Sequence, residues 1–119
     1  MTDLTSSAFV HLYLPKSQLE NLNQLGYSNM TPIQEEALPL ALGGHDLIAQ
    51  AKTGSGKTAA FGIPMLQKVD VLNKAVQGLV ICPTRELSNQ VAEELRRLAR
   101  FQANLKVVVV SGGNPMRPQ

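Results

Sequence analysis

One short segment, AKTGSGKT at residues 51–58, constrains the fold of this 119-residue chain more than any other. It lies between an apolar run predicted as a strand, DLIAQA, and a predicted helix at residues 57–68. Glycines at 54 and 56 permit backbone conformations in which successive N–H groups point inward and form an anion-binding nest. The following helix adds its free N–H groups and the positive end of its dipole. The spacing therefore predicts a phosphate site, in which Lys57 reaches the terminal phosphates and the Thr58 hydroxyl binds Mg²⁺.

The residues before this loop predict two helices. PKSQLENLNQLG spaces leucines at 19, 22 and 25 and reaches a stop signal at Gly26. MTPIQEEALPLALGG offers Thr31 as an N-cap and Pro32 at the first helical position. Because proline lacks a backbone N–H, we expect Pro39 to kink or break the second helix.

The residues after the loop continue the alternation of strand and helix. GLVIC, followed by Pro83, predicts a second strand, and residues 85–101 predict a helix with Leu87, Val91, Leu95 and Leu98 on one stripe. LKVVVVS predicts a third strand, and its valine run suggests a strand covered on both faces. Together these elements indicate an α/β domain with a parallel sheet.

Composition narrows the setting of the chain. It carries 11 Lys and Arg against 9 Asp and Glu. This mildly basic net charge is compatible with binding to nucleic acid but does not establish it. No apolar run reaches the length of a membrane span, and the first residues lack the pattern of a secretory signal. The single cysteine, Cys82, cannot form an internal disulfide, and its apolar setting suggests a small buried side chain. We expect a cytoplasmic protein without a membrane partner.

Several motifs, in order, resemble the DEAD-box ATP-dependent RNA helicases. AKTGSGKT matches the family form A-x-T-G-x-G-K-T, GYSNMTPIQ at residues 26–34 looks like the Q motif, and PTREL at residues 83–87 and GG at residues 112–113 follow. The segments LIAQAKTGSGKTAAFG and CPTREL look most like a bacterial DbpA-type subgroup that acts on ribosomal RNA. The resemblance implies a P-loop NTPase domain of the RecA-like type, with ATP and Mg²⁺ as cofactors and structured or ribosomal RNA as a partner.

The resemblance also implies roles for individual residues. Gln34 would bond adenine through its amide and Phe9 would stack on the ring, with Tyr27 in place of a frequent phenylalanine. The loop would bind phosphate through Ala51, Lys52, Thr53, Gly54, Ser55 and Gly56, with Lys57 and Thr58 as catalytic residues. From the residues alone, Gln34 reads as a solvent-facing side chain of a first helical turn, and Phe9 as core packing.

The implied RNA contacts lie at the ends of two predicted strands. Pro83, Thr84 and Arg85, with Gly112 and Gly113, would touch the sugar-phosphate backbone, where a guanidinium matches phosphate well. Without the resemblance, Arg85 reads as a surface arginine at a helix start. The three arginines at 96, 97 and 100 suggest a basic patch, but nearby Glu93 and Glu94 favour an ion-paired, solvated helix face.

The 119 residues contain no D-E-A-D tetrapeptide, no S-A-T motif and no second RecA-like domain with its arginine finger. We therefore expect a truncated helicase domain, with an N-terminal segment and Q motif at residues 1–34 and a partial RecA-like domain at residues 35–119. In the family the strands bearing the two missing motifs lie between the DLIAQA and GLVIC strands, so an open, aggregation-prone edge is expected. This chain alone should fold poorly and hydrolyse ATP negligibly.

Two other classes of function remain open. A non-catalytic nucleotide- or RNA-binding module would use the adenine and phosphate contacts alone. A different P-loop enzyme, such as a small-molecule kinase, would leave GYSNMTPIQ and PTREL unexplained.

Overall fold

The computed structural model describes residues 8–50 and 56–110, and the regular structure in these residues is helical. Four α-helices follow one another along the chain: α1 (Lys16–Gln24), α2 (Pro32–Leu42), α3 (Lys57–Gln67) and α4 (Arg85–Leu98). Single 3₁₀ turns lie at Phe9–His11 and Ala99–Phe101. No helix among the described residues is long and apolar enough to cross a membrane.

The predicted ends of α1 and α2 are confirmed. Gly26 follows α1 with φ 90°, a conformation in which glycine avoids the strain of a side chain. Thr31 precedes α2 in an extended conformation, and Pro32 occupies its first position. Of the expected kink or break at Pro39, the break is wrong, because α2 continues to Leu42, while the kink stays a prediction. Proline costs this helix one internal hydrogen bond, while burial of Leu38 in the core holds the turn in place.

The two later helices also match their predicted positions. α3 begins at Lys57, and α4 begins at Arg85 and is extended by the 3₁₀ turn that ends at Phe101. Along the predicted stripe of α4, Leu95 and Leu98 are buried, while Leu87 at the start of the helix is 38% exposed. The stripe therefore faces the core only towards the C-terminal end of α4.

The three predicted strands are not paired in the part of the chain that the structure describes. Residues 46–50, 78–82 and 105–110 form no strand ladder, and the one β-bridge found there is an isolated antiparallel pair between Ala8 and Asn29. A parallel ladder needs an adjacent strand as hydrogen-bond partner, and the implied strand order separates the first two segments by two absent strands.

Exposure of the apolar side chains follows from this missing pairing. Ile48 is fully exposed, Ile81 is 84% exposed, and in the valine run Val108 and Val110 are more than half exposed. The expectation that this run is covered on both faces is therefore wrong within residues 8–50 and 56–110, where no second layer lies over its outer side.

A single core joins the N-terminal segment to the later helices. α3 packs against both α2 and α4, and α1 packs against α4. Nine side chains form the central cluster: Phe9, Leu22, Leu38, Ala59, Ile63, Leu66, Leu95, Leu98 and Ala99. Gly62 allows α4 to approach closely, since a Cβ there would lie 2.7 Å from Leu95 Cδ2. The predicted boundary between residues 34 and 35 falls inside α2, and the proposed division into two parts stays a prediction.

Candidate nucleotide and RNA site

The end of the predicted phosphate loop is a helix N-terminus. Gly56 is the N-cap of α3 and has φ 91°, in the left-handed region that favours glycine. The first internal bond of the helix runs from Ala60 N–H to the Gly56 carbonyl, 3.2 Å away. Because a helix leaves its first N–H groups without internal acceptors, those at Lys57, Thr58 and Ala59 are free for an anion. The remaining predicted loop residues lie outside the described residues: Ala51, Lys52, Thr53, Gly54 and Ser55.

Gln34 connects this helix start to α2. Its Oε1 accepts a hydrogen bond from Thr31 N–H at 2.9 Å, and its Nε2 donates to the Gly56 carbonyl at 3.1 Å. The side chain is buried, with Gln34 only 3% exposed, so the interpretation as a solvent-facing residue is wrong. One N–H and one lone pair of the amide stay unused, which is the number a bidentate contact with adenine requires. The adenine role stays a prediction.

A glycine at position 56 is required twice over. A Cβ there would lie 2.4 Å from Gln34 Nε2 and 2.9 Å from Thr31 Oγ1, and its backbone would be held at a positive φ. The clash of a Cβ and the positive φ each favour a residue without a side chain at this position of the turn. The Gln34 side chain and the bend before α3 therefore form one packed unit.

An open cleft of about 1030 Å³ brings together residues from three of the predicted motifs. Gly56, Lys57 and Thr58 line it beside Tyr27, and Pro83 lines it from the PTREL motif. Lys57 is exposed and Thr58 is partly exposed, so both can be reached from solvent. The cleft thus places a cationic helix start next to the segment predicted to contact RNA.

Phe9 lies in the core. The residue is 2% exposed, and its ring meets Tyr27 edge to face, with centroids 5.7 Å apart. Phe9 N–H also donates to the Ser28 carbonyl. The observed packing is that of a core residue, and a stacking contact with a nucleotide requires this ring to uncover one face.

The PTREL segment forms the start of α4. Thr84 is the N-cap, and its Oγ1 accepts from Leu87 N–H at 3.1 Å. Arg85 is exposed at the first helical position. Gly112 and Gly113 lie outside the described residues. Cys82 is half-buried in the wall of the cleft and is less enclosed than the sequence suggested.

The arginines of α4 are engaged within the protein. Arg97 pairs with Glu94, and this hydrogen bond and charge raise the pKa of Arg97 above its ordinary value. Arg96 lies 3.8 Å from Glu93 and also donates to the Val107 carbonyl, 3.0 Å from its Nη2. The ion-paired helix face is thus confirmed for these two residues.

The donor set for a metal is incomplete in this part of the molecule. Among the described residues no group of three His, Cys, Asp or Glu side chains could hold an ion. The Thr58 hydroxyl fits the single protein ligand that the phosphate-loop interpretation assigns, so nucleotide phosphates, water and a further carboxylate would have to supply the rest.

Sequence reasoning missed two buried amides on α1. Gln18 is fully buried and Asn21 is 7% exposed, and both donate to carbonyls at the end of α4. A polar pair spaced three residues apart, beside the apolar Leu22, was the available signal. It is a weak signal, because the partners lie almost eighty positions away.

Comparison with known proteins identifies first the structural class of this domain and then its sequence family. The fold is similar to that of a DEAD box protein from the hyperthermophile Methanococcus jannaschii, with a TM-score of 0.86 and 38% identity over 93% of this chain and 30% of that one. It is also similar to S. cerevisiae Dbp5 bound to RNA and ADP BeF3, with a TM-score of 0.73 and 34% identity over 81% of this chain and 25% of that one. The class is therefore the RecA-like helicase domain, which confirms the predicted α/β fold class.

The family follows from the sequence. Residues 31–119 match the model of the DEAD/DEAH box helicases, and the chain belongs to this family. It is 58% identical to the ATP-dependent RNA helicase DbpA of Escherichia coli (strain K12) over 106 residues, which are 89% of this chain. The chain spans only 23% of the length of that relative.

Proposed function

We propose that this chain forms the nucleotide-binding and RNA-contacting first part of an ATP-dependent RNA helicase. The observation that carries the proposal is the start of α3, where Gly56 caps the helix in a left-handed conformation and Lys57 follows it at the edge of an open cleft. Free N–H groups, a helix dipole and an ammonium group at one point suit the phosphates of a nucleotide. The similarity to E. coli DbpA supports ATP as that nucleotide.

Within this proposal, Gln34 recognises the adenine base and is also hydrogen-bonded to the turn that binds the phosphates. Its amide bonds the Gly56 carbonyl with one N–H and keeps another N–H and a lone pair for the adenine edge. Adenine offers an acceptor and a donor side by side, whereas guanine offers two acceptors at the equivalent edge. ATP should therefore bind more tightly than GTP.

The RNA contact is assigned to the opposite rim of the cleft. Thr84 ends the extended segment and caps α4, so Arg85 is held at a defined position on the surface. Contacts to sugar and phosphate carry no base information, so this part of the chain should bind RNA without sequence preference. The S. cerevisiae relative, solved with RNA and ADP BeF3, supports a joint site.

Hydrolysis requires groups that this chain does not supply. Thr58 would hold Mg²⁺ through its hydroxyl, and the ion would offset negative charge on the phosphates, but the attacking water and the metal also need acidic residues. The sequence has no D-E-A-D tetrapeptide. We assign the acid, the second RecA-like domain and duplex unwinding to further parts of a longer, cytoplasmic protein.

The test uses a completed helicase, in which this chain replaces the matching N-terminal residues of E. coli DbpA. ATP hydrolysis is measured with and without RNA, for the parent and for Lys57→Ala. Loss of the ammonium contact should lower RNA-stimulated hydrolysis on the order of a hundredfold. Lys74→Ala, an exposed lysine away from the cleft, should leave it unchanged.

Two results would count against the proposal. Equal activity of Lys57→Ala and Lys74→Ala would remove the role of the α3 start. Equal affinity of the completed helicase for ATP and GTP would remove the role of Gln34 in reading the base.

A further inference from the structure

The C-terminal end of α4 is capped by side chains from α1. Gln18 Nε2 donates to the Leu98 carbonyl at 3.1 Å, and Asn21 Nδ2 lies 3.1 Å from the Arg97 carbonyl and 3.2 Å from the Leu98 carbonyl. Asn21 also donates to Gln18 Oε1 at 3.1 Å, so the two amides orient one another. The last carbonyls of a helix lack donors in its regular ladder, and here two buried amides add donors beside the backbone bond from Ala99 N–H to the Arg97 carbonyl.

This contact is deep in the protein. Gln18, Leu22 and Leu98 are fully buried, and Leu22 and Leu98 belong to the same core cluster. Water therefore cannot substitute readily for the amides, and loss of either amide would remove one donor from a carbonyl in an apolar setting. The cap fixes both the rotation and the axial position of α4 relative to α1.

α1 is in turn fastened to the nucleotide side of the site. Tyr27 N–H donates to the Leu22 carbonyl at 2.8 Å, and the chain then enters α2 through Thr31. From there Gln34 reaches the Gly56 carbonyl at the start of α3. Directed contacts thus run from the turn before α3 to the far end of α4.

The other end of α4 carries the segment assigned to RNA. Fourteen residues make α4 about 21 Å long, with Arg85 at its first position. A tilt of about 10° around the capped end would move the first turn by roughly 3–4 Å, which exceeds the tolerance of a hydrogen bond to phosphate. Small errors at the cap are therefore magnified where RNA is expected.

We propose that Gln18 and Asn21 are positioning residues for RNA binding, which hold α4 at the angle that presents Thr84 and Arg85 to the RNA backbone. This inference rests on the proposed function. The two amides touch neither nucleotide nor RNA, so they act through α4 alone. Their loss should weaken RNA binding while nucleotide binding at the start of α3 stays as it was.

The experiment measures RNA-stimulated ATP hydrolysis of the completed helicase with Gln18→Met, which keeps the side-chain length and removes the amide. Gln24→Met, an exposed position on the same helix, is the matched control. We expect the RNA concentration for half-maximal stimulation to rise about three- to tenfold, as for one lost hydrogen bond. The KM for ATP and kcat at saturating RNA should stay within twofold of the parent.

A second variant tests whether the effect passes through Arg85. In an Arg85→Ala background, Gln18→Met should cause less than a twofold further rise in the RNA requirement, because the contact that it positions is already absent. Full additivity of the two changes would overturn the inference. If Gln18→Met yields no folded protein, Asn21→Ser decides by the same criteria, since it leaves the Gln18 bond to Leu98 in place.

The remaining outcomes separate this inference from the proposed function. If the RNA concentration for half-maximal stimulation is unchanged, and only the thermal midpoint or kcat is lower, the two amides have a purely structural role. That result would overturn this inference and leave the proposed function intact. An equal rise in the KM for ATP would overturn it too. Absence of RNA-stimulated hydrolysis in the unsubstituted completed helicase would refute the proposed function and this inference together.

Discussion

The turn before α3 allows the cost of a single methyl group to be worked out from the geometry. Replacing Gly56 by alanine forces a side chain into the left-handed region, which costs about 1–2 kcal/mol. The new Cβ would lie 2.4 Å from Gln34 Nε2, so the amide must move away. Its bonds to the Gly56 carbonyl and from Thr31 N–H are then lost, at about 1 kcal/mol each. The expected loss in free energy of unfolding is about 3–4 kcal/mol.

Gly44 offers a matched control for this substitution. Its φ is 90°, nearly the same as at Gly56, but a Cβ at Gly44 would meet nothing within 4 Å. Gly44→Ala should therefore cost only the backbone term of about 1–2 kcal/mol. The reduced freedom of the unfolded chain is common to both variants and cancels in the comparison.

The assay is urea unfolding of the completed helicase, followed by circular dichroism through its first transition. Gly56→Ala should lower the midpoint about twice as much as Gly44→Ala does. Equal midpoints for the two variants would refute the reasoning, because the clash with Gln34 would then carry no energy.

Two further predictions concern the core and the chain by itself. Leu98→Ala removes a fully buried side chain and should lower the free energy of unfolding by about 2–5 kcal/mol in the same assay. Leu40→Ala, at a position that is 48% exposed, should lower it by less than about 1 kcal/mol. Similar values for the two variants would contradict the observed packing. The 119 residues alone should show no cooperative transition in scanning calorimetry and negligible phosphate release with ATP and RNA. A cooperative transition together with RNA-stimulated release would prove this wrong.

The helices show how much of the fold is predictable from local pattern. Thr31 and Pro32 mark the start of α2, Gly26 follows the end of α1, and α3 starts at the residue after Gly56. Each of these signals acts over a few positions, because helix bonds join residues four apart and caps lie within a turn. Pro39 is the exception, since burial of Leu38 outweighs one missing bond.

The strands show where local pattern fails. The apolar runs at residues 46–51, 78–82 and 105–111 are typical of buried parallel strands, and the family comparison agrees with that fold class. Their described residues nevertheless form no ladder, because strand bonds need a neighbour that is distant in sequence. Composition can predict that a segment favours a sheet, but it cannot supply the partner.

The sequence by itself determined which chemistry to expect: the glycines at 54 and 56 with Lys57 and Thr58, between a predicted strand and a helix, predict a phosphate-binding turn. Only the tertiary structure decided that Gln34 closes on Gly56, that Phe9 lies in the core, and that Gln18 and Asn21 cap α4. The bonds of Gln34 and Gln18 join residues 22 and 80 positions apart, and their geometry depends on how whole helices pack. A local sequence pattern does not specify how distant helices pack. The roles of Gln18 and Asn21 at the end of α4 were therefore apparent only in the folded chain.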